Sequence, residues 1–222
     1  MPRTAPDQAR AREHPCFARI WPRLARCMGS EEERLELLQG LTGRVLEVGA
    51  GDGRNFVLYP PDVVEVVAIE PEPYLRKRAV DAACRAATTV TVLDGRAEAL
   101  PLTANSFDSA VVSLVLCSVE DQTAALGELR RVLRPGAELR FFEHVVADPG
   151  MIRSVQRALD RSGLWPRLGG GCHLSRDTLA AIRAAGFGVA SARRVDNGAV
   201  TRAVPLLLGR ARLAGSDAAP TL

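Results

Sequence analysis

Two carboxylates and a run of small residues carry the strongest chemical signal in the chain. Val45-Leu46-Glu47-Val48-Gly49-Ala50-Gly51-Asp52-Gly53 sets an apolar run directly before a glycine-rich turn. Glycines in such a turn reach positive φ and let a ligand approach the backbone closely. Glu70 ends the next apolar run and is followed by Pro71. In an open α/β sheet, an acid at the end of the second strand can accept hydrogen bonds from both hydroxyls of a ribose. The pair points to a nucleoside-containing ligand held beyond the carboxyl ends of the strands. Glu47, Gly49, Ala50, Gly51, Gly53 and Asn55 would line it along the turn, with Glu70 and Pro71 opposite.

Charge narrows the choice of ligand. Dinucleotide turns read GxGxxG, with a third glycine for close helix packing. Here the spacing is GxGxG, and Arg54 stands where that third glycine would fall. Glu47 lies two residues before the first glycine, where a carboxylate would repel a pyrophosphate. The same carboxylate suits a cofactor bearing a sulfonium and an ammonium group. S-adenosylmethionine is therefore the expected cofactor, ahead of a nicotinamide dinucleotide. A turn that binds nothing is the plainer alternative, and Glu70 at the ribose position argues against it.

Methyl transfer from a sulfonium is an in-line displacement, so the protein mainly supplies alignment and excludes water. His144 ends the fifth apolar run, where active sites of such sheets collect. It is the expected catalytic residue, accepting the proton of the acceptor or polarising its thiol. Cys172 and His173 follow Gly169–Gly171 and are read as part of a substrate pocket. A metal held by His144, Cys172 and His173 would need adjacent ligands, an unusual spacing, so no metal site is expected. His14, Phe17 and Trp21 lie on an N-terminal helical pattern read as a lid over the substrate. Asp160 and Trp165 flank the pocket's second wall. Cys117 reads as a small residue near the cofactor and Cys84 as helix packing.

These residues need a scaffold. Strand patterns are expected at 44–48, 63–69, 90–93, 108–116 and 138–144, with helices at 73–87 and 122–133 between them. Near-continuous apolar strands alternating with helices indicate a parallel sheet covered on both faces. Further helices are expected at 15–28, after Ser30, and at 151–161 and 175–185. Runs at 187–195 and 200–208, separated by Asp196-Asn197-Gly198, read as a hairpin closing one sheet edge. Arg134-Pro135-Gly136 reads as a tight turn into the fifth strand. Residues 1–12 and 213–222 read as tails around a single domain at 13–212, with the lid at about 13–40.

Taken together, the glycine turn, Glu70, Asp94-Gly95-Arg96-Ala97 and Leu114-Val115-Leu116-Cys117-Ser118-Val119 resemble class I methyltransferases over about 43–145. A narrower resemblance joins Leu114–Val119, Arg131–Gly136, Glu143-His144-Val145 and Gly171-Cys172 to the methyltransferase-like seven family of thiol methyltransferases. The resemblance implies a three-layer Rossmann-like α/β fold with a mostly parallel seven-stranded sheet and an antiparallel edge hairpin. It implies methyl transfer to a small molecule, such as an alkyl thiol. It places Arg96 and Ala97 at the adenine edge, and Leu116 and Cys117 near the methyl group. Arg96 stands where many class I members carry an acid for the adenine amino group. The family's apolar N-terminal anchor has no counterpart in these residues.

Composition is consistent with this. With 47% hydrophobic and 25% charged residues the chain reads as an ordinary globular protein, and a net charge of +3 gives no basic groove for nucleic acid. Five scattered cysteines without a CxxC pair suggest reduced thiols in a cytoplasm. No run approaches the length of a membrane helix, so no membrane partner is expected. The acceptor and the oligomeric state are not legible. A nicotinamide-dependent oxidoreductase and a non-catalytic module that binds S-adenosylmethionine are the competing readings.

Overall fold

The computed structural model describes residues 18–20, 30–195 and 203–214. Seven strands form one sheet: β1 (Gly43–Val48), β2 (Val63–Ile69), β3 (Thr89–Leu93), β4 (Phe107–Ser113), β5 (Leu133–His144), β6 (Phe187–Val195) and β7 (Leu206–Leu213). Their order is β3-β2-β1-β4-β5-β7-β6. The first five strands run parallel. β7 lies antiparallel between β5 and β6. This is the α/β sheet with an antiparallel edge pair that the sequence implies. The strand order reverses between β1 and β4, and open α/β sheets bind ligands at such a switch point.

Period-2 alternation sends neighbouring residues of each strand to opposite faces, and both faces are buried. Leu46, Val48, Ala110, Val112, Leu139 and Phe141 join one core beneath α3 (Gln122–Val132). Val45, Val66, Ala68, Val111 and Phe142 join the other, with Leu37 and Leu38 of α1 (Glu31–Leu38) and Ala79 and Ala82 of α2 (Pro73–Ala83). Three further helices follow β5: α4 (Met151–Arg161), α5 (Leu164–Leu168) and α6 (Thr178–Ala184).

Local signals explain the element ends. Glu33 reaches back to accept from the backbone N–H of Ser30 at 2.6 Å, and Gly40 beyond α1 takes φ +73°. Asp121 caps α3 by accepting from the amides of Thr123 and Ala124. Pro73 opens α2 at the first turn, where a missing N–H is harmless.

Several boundaries differ from expectation. The fourth strand stops at Ser113, three residues before the expected end, because Leu114 turns to φ +60°. Arg134-Pro135-Gly136 is an irregularity within β5, between the pairs Phe107↔Leu133 and Ser109↔Glu138. The second edge strand begins at Leu206, not at 200, and the register Val195↔Leu206 makes residues 196–205 the connection. The short hairpin link expected at Asp196-Asn197-Gly198 is therefore corrected to a longer one, of which residues 196–202 lie outside the described set. α6 starts at Thr178, capped by Asp177 accepting from the amide of Ala180, and ends at Ala184, so the helix expected at 175–185 begins three residues later and ends one earlier. α5 was not foreseen. Cys84 is exposed rather than packed. Of the N-terminal helix expected at 15–28 only 18–20 are described, and they are helical.

Candidate active site

β1 runs into the turn with both flanking hydrogen bonds intact. Gly49 and Ala50 donate to the carbonyl of Ile69, the last residue of β2, at 2.8 and 3.1 Å. Gly49, Gly51 and Gly53 all take positive φ. At Gly49 an added Cβ would fall 2.4 Å from Val115 Cγ2, so that position also needs glycine for space. Gly53 is equally crowded, against Phe56 and Ala82, and serves the packing of the turn.

Glu70 meets this turn directly. Its Oε2 accepts from the Gly51 amide at 2.8 Å and its Oε1 from the Glu72 amide at 3.0 Å. Burial pushes its carboxyl up to about 7, against the opposing pull of those two amides. Pro71 contributes its carbonyl, which with that of Glu70 accepts from Arg76 Nη1 at 2.8 Å. The glycine turn after β1 and the acid after β2, at consecutive strand ends, are thus in direct contact.

Glu47 is buried on the other side of the turn. Its carboxylate accepts from Asn55 Nδ2 and from the Tyr59 hydroxyl, each at 2.8 Å. Burial again dominates and lifts it to about 7. Arg34 donates to Asn55 Oδ1 at 2.9 Å, completing a chain from α1 to β1. Arg34, Glu47, Gly49, Ala50, Gly51, Asn55 and Leu114 line one cleft, at the switch point between β1 and β4. A wider cleft lies by α1 and the β6–β7 pair. Much of its charged lining is paired, Arg193 with Glu36, Arg140 and Arg212 with Glu138, and Asp108 with Arg134, and no His or Cys is among its described lining residues.

Arg96 and Ala97 follow β3. The Arg96 guanidinium pairs with Glu120 at 2.9 Å and Glu98 at 3.5 Å. Glu98 also accepts from the Glu120 amide at 2.8 Å, so acids from two loops gather around Arg96. Ala97 is buried with Leu100.

Sequence reasoning missed Glu143. It is wholly buried at the end of β5. Its carboxylate accepts from the amides of Val115, Leu116 and Cys117 at 2.9, 3.0 and 3.1 Å. These bonds fold the segment after β4 around one carboxylate. Burial holds that group up at about 7 despite them. The only sequence signal was an acid within an otherwise apolar strand end. Leu116 is buried here, and its carbonyl accepts from Arg176 Nη1 at 2.8 Å and Gln122 Nε2 at 3.2 Å.

The capped turn presents Cys117 to His144. Cys117 Sγ lies 3.8 Å and Cys172 Sγ 3.2 Å from His144 Nδ1, and the three are buried. Cys172 arrives because its loop is pinned. Asp160 accepts from the amides of Leu174 and Ser175 at 3.0 and 2.8 Å. The His173 amide donates to the Cys117 carbonyl at 2.8 Å. Gly171 sits at φ +90°, where a Cβ would come 2.8 Å from the Ser118 carbonyl oxygen. A hydrogen bond from Cys117, then His144, draws the Cys172 thiol down to about 5, while Cys117 is driven up. Among the described residues, His144 Nε2 is buried without a partner. His173 takes its backbone to Cys117, and its Nδ1 is likewise buried and unpartnered. Trp165 packs on the Cys117–Cys172–Leu174 group. His14, Phe17 and Trp21 lie outside the described residues.

Comparison with known proteins gives the class of the protein. A family model described as a methyltransferase domain matches residues 46–141. The chain is 38% identical to mouse thiol S-methyltransferase TMT1B, over 68% of this chain and 63% of that protein. It is 35% identical to human thiol S-methyltransferase TMT1B, over 73% of this chain and 69% of that protein. The solved cyclase SpnF shares the fold at TM-score 0.70 and 18% identity, covering 91% of this chain and 95% of its own. The chain belongs to the class I methyltransferase family, whose methyl donor is S-adenosylmethionine. Within that class it is similar to the thiol S-methyltransferases TMT1A and TMT1B. The match spans about two thirds of those relatives' length. Nothing in the comparisons favours a nicotinamide enzyme. Among the described residues, no helix is long and apolar enough to cross a membrane.

Proposed function

We propose that the protein transfers the methyl group of S-adenosylmethionine to the sulfur of a small thiol. The observation that carries the cofactor half is the direct contact between Glu70 and Gly51 at the mouth of the β1 turn. Glu70 takes the ribose hydroxyls there, and Gly49, Ala50, Gly51 and Gly53 let the methionine moiety approach the backbone. Glu47, with Asn55 fixed against it, supplies negative charge to the ammonium group. Arg96 and Ala97 border the adenine, with Pro71 behind the ribose. Leu116 and Cys117 border the methyl group.

The acceptor half rests on His144 beside Cys117 and Cys172, with Cys172 and His173 in the acceptor wall, and on the similarity to thiol S-methyltransferases. A thiol needs only its proton removed to become a strong nucleophile. His144 is the residue assigned to that activation. His14, Phe17 and Trp21 are assigned to the acceptor's cover.

The test is incubation with labelled S-adenosylmethionine and matched alkyl thiol, amine and alcohol acceptors. Label is expected in the thioether only. Transfer to the amine or alcohol at an equal rate would overturn the thiol assignment, and no thermal stabilisation by millimolar cofactor would overturn the whole reading. His144→Ala is expected to lower turnover roughly 100-fold with cofactor binding intact; unchanged turnover would remove His144 from the chemistry.

A further inference from the structure

Cys117, His144 and Cys172 come from three separate segments, and their Sγ, Nδ1 and Sγ atoms all lie within 4.8 Å of one another. We propose that these three atoms ligate a Zn(II) ion whose fourth position takes the acceptor as a thiolate. The identity of that fourth ligand rests on the thiol reading above; the three protein ligands do not.

The donor set, two soft sulfurs and one imidazole, suits zinc, and three protein ligands with one open position is the pattern of catalytic zinc. In a tetrahedron with Zn–S about 2.3 Å and Zn–N about 2.0–2.1 Å, an S···N edge is roughly 3.5 Å. The observed edges from Nδ1 are 3.2 and 3.8 Å and bracket that value. Charge favours the ion as well. Before the acceptor binds, two thiolates and a neutral imidazole around a divalent cation sum to zero, whereas a lone buried thiolate or imidazolium does not.

The ligands are also held as a metal site requires. Glu143 fixes the Cys117 amide, Asp160 and the Gly171–Ser118 contact fix the Cys172 loop, and β5 carries His144. The sequence spacing hid the set. It puts His173 next to Cys172, but the third ligand is Cys117, from the turn after β4. With Nδ1 on the metal, the ring proton sits on Nε2, which is buried without a partner among the described residues.

The chemistry then balances. With His144 held on the metal and unable to act as the base, it activates the thiol through zinc: the acceptor R–SH loses its proton to solvent as its sulfur binds the ion. That sulfur's electron pair attacks the methyl carbon, forming S–CH3. The sulfonium C–S bond breaks, its pair stays on sulfur, and neutral S-adenosylhomocysteine leaves. The thioether product, a weaker ligand than the thiolate, departs.

The experiment measures metal in the purified full chain, then adds Co(II) to protein stripped by a chelator. The expected result is about one zinc per chain and a thiolate-to-cobalt charge-transfer band that saturates at about one equivalent. Both should be lost in Cys172→Ser and His144→Ala, while both variants keep their stabilisation by S-adenosylmethionine, which shows that they fold. An alkyl thiol should shift the cobalt d–d bands and the matching alcohol should not. Absence of zinc together with absence of the cobalt band would overturn the site. Full thiol methylation by metal-free protein would overturn its role and leave the thiol reading standing. A cobalt spectrum indifferent to thiols would overturn the fourth ligand alone.

Discussion

Glu47, Glu70 and Glu143 are three carboxylates buried within one small region, each raised to about 7 by loss of water. They differ in what they hold. Glu143 is satisfied by three amides of its own protein and is structural. Glu70 has only two amides, and the proposed function gives it the ribose hydroxyls. Glu70→Ala is expected to remove two charge-assisted hydrogen bonds, about 3 kcal/mol or roughly a hundredfold in cofactor affinity, by calorimetric titration. Affinity unchanged within twofold would end its ribose role. A bound cation favours the ionised form of Glu47. With the cofactor's ammonium beside Glu47 as proposed, affinity for S-adenosylmethionine is expected to be complete above pH 7 and to fall as pH drops through it, about tenfold per unit for one group. In Glu47→Gln this dependence should flatten, and an equally steep profile would place its origin elsewhere.

At the scale of elements, two loops each depend on a single residue. Removing the Glu143 carboxylate leaves the amides of Val115, Leu116 and Cys117 buried without acceptors. Glu143→Ala should cost about 3 kcal/mol or more and lower the melting temperature by roughly 6–12 °C. A melting temperature within a degree or two of the parent would mean the turn finds other partners. The Cys172 loop depends on Gly171, whose φ and whose approach to Ser118 both exclude a side chain. Gly171→Ala should displace Cys172 from His144, lowering methyl transfer while leaving cofactor affinity unchanged, because the glycine turn after β1 is a separate element. Equal loss of both would contradict that separation.

For the molecule as a whole, the three raised carboxylates set opposite pH trends for stability and binding. Each is protonated in the folded state up to about 7 but ionises near 4.3 when unfolded. Their stabilising contribution is full below the unfolded value and is lost as pH rises through the folded one. The ligand-free protein should thus gain about 1 kcal/mol per group from pH 8 to pH 6, while its stabilisation by S-adenosylmethionine shrinks over the same interval. Thermal scans with and without cofactor at both values would show the two curves converging; parallel curves would refute the coupling.

Local chemistry alone determined the parallel strands, the glycine turn and the acid after β2, because apolar runs and glycines report their own neighbourhood. Glu47, Gly49, Gly51 and Glu70 were readable for that reason, since a β1–β2 crossover fixes their relation within a short stretch of chain. Boundaries set by a partner were not readable: β7 starts at Leu206 because of its register with β5 and Val195, and Ser113 ends β4 because Leu114 turns toward Phe142. Only the tertiary structure decided that Glu143 closes the turn after β4 and that Cys117, not His173, joins His144 and Cys172. Those contacts span 26 to 28 residues along the chain, and no periodicity within one segment encodes which distant side chain will fill a buried space.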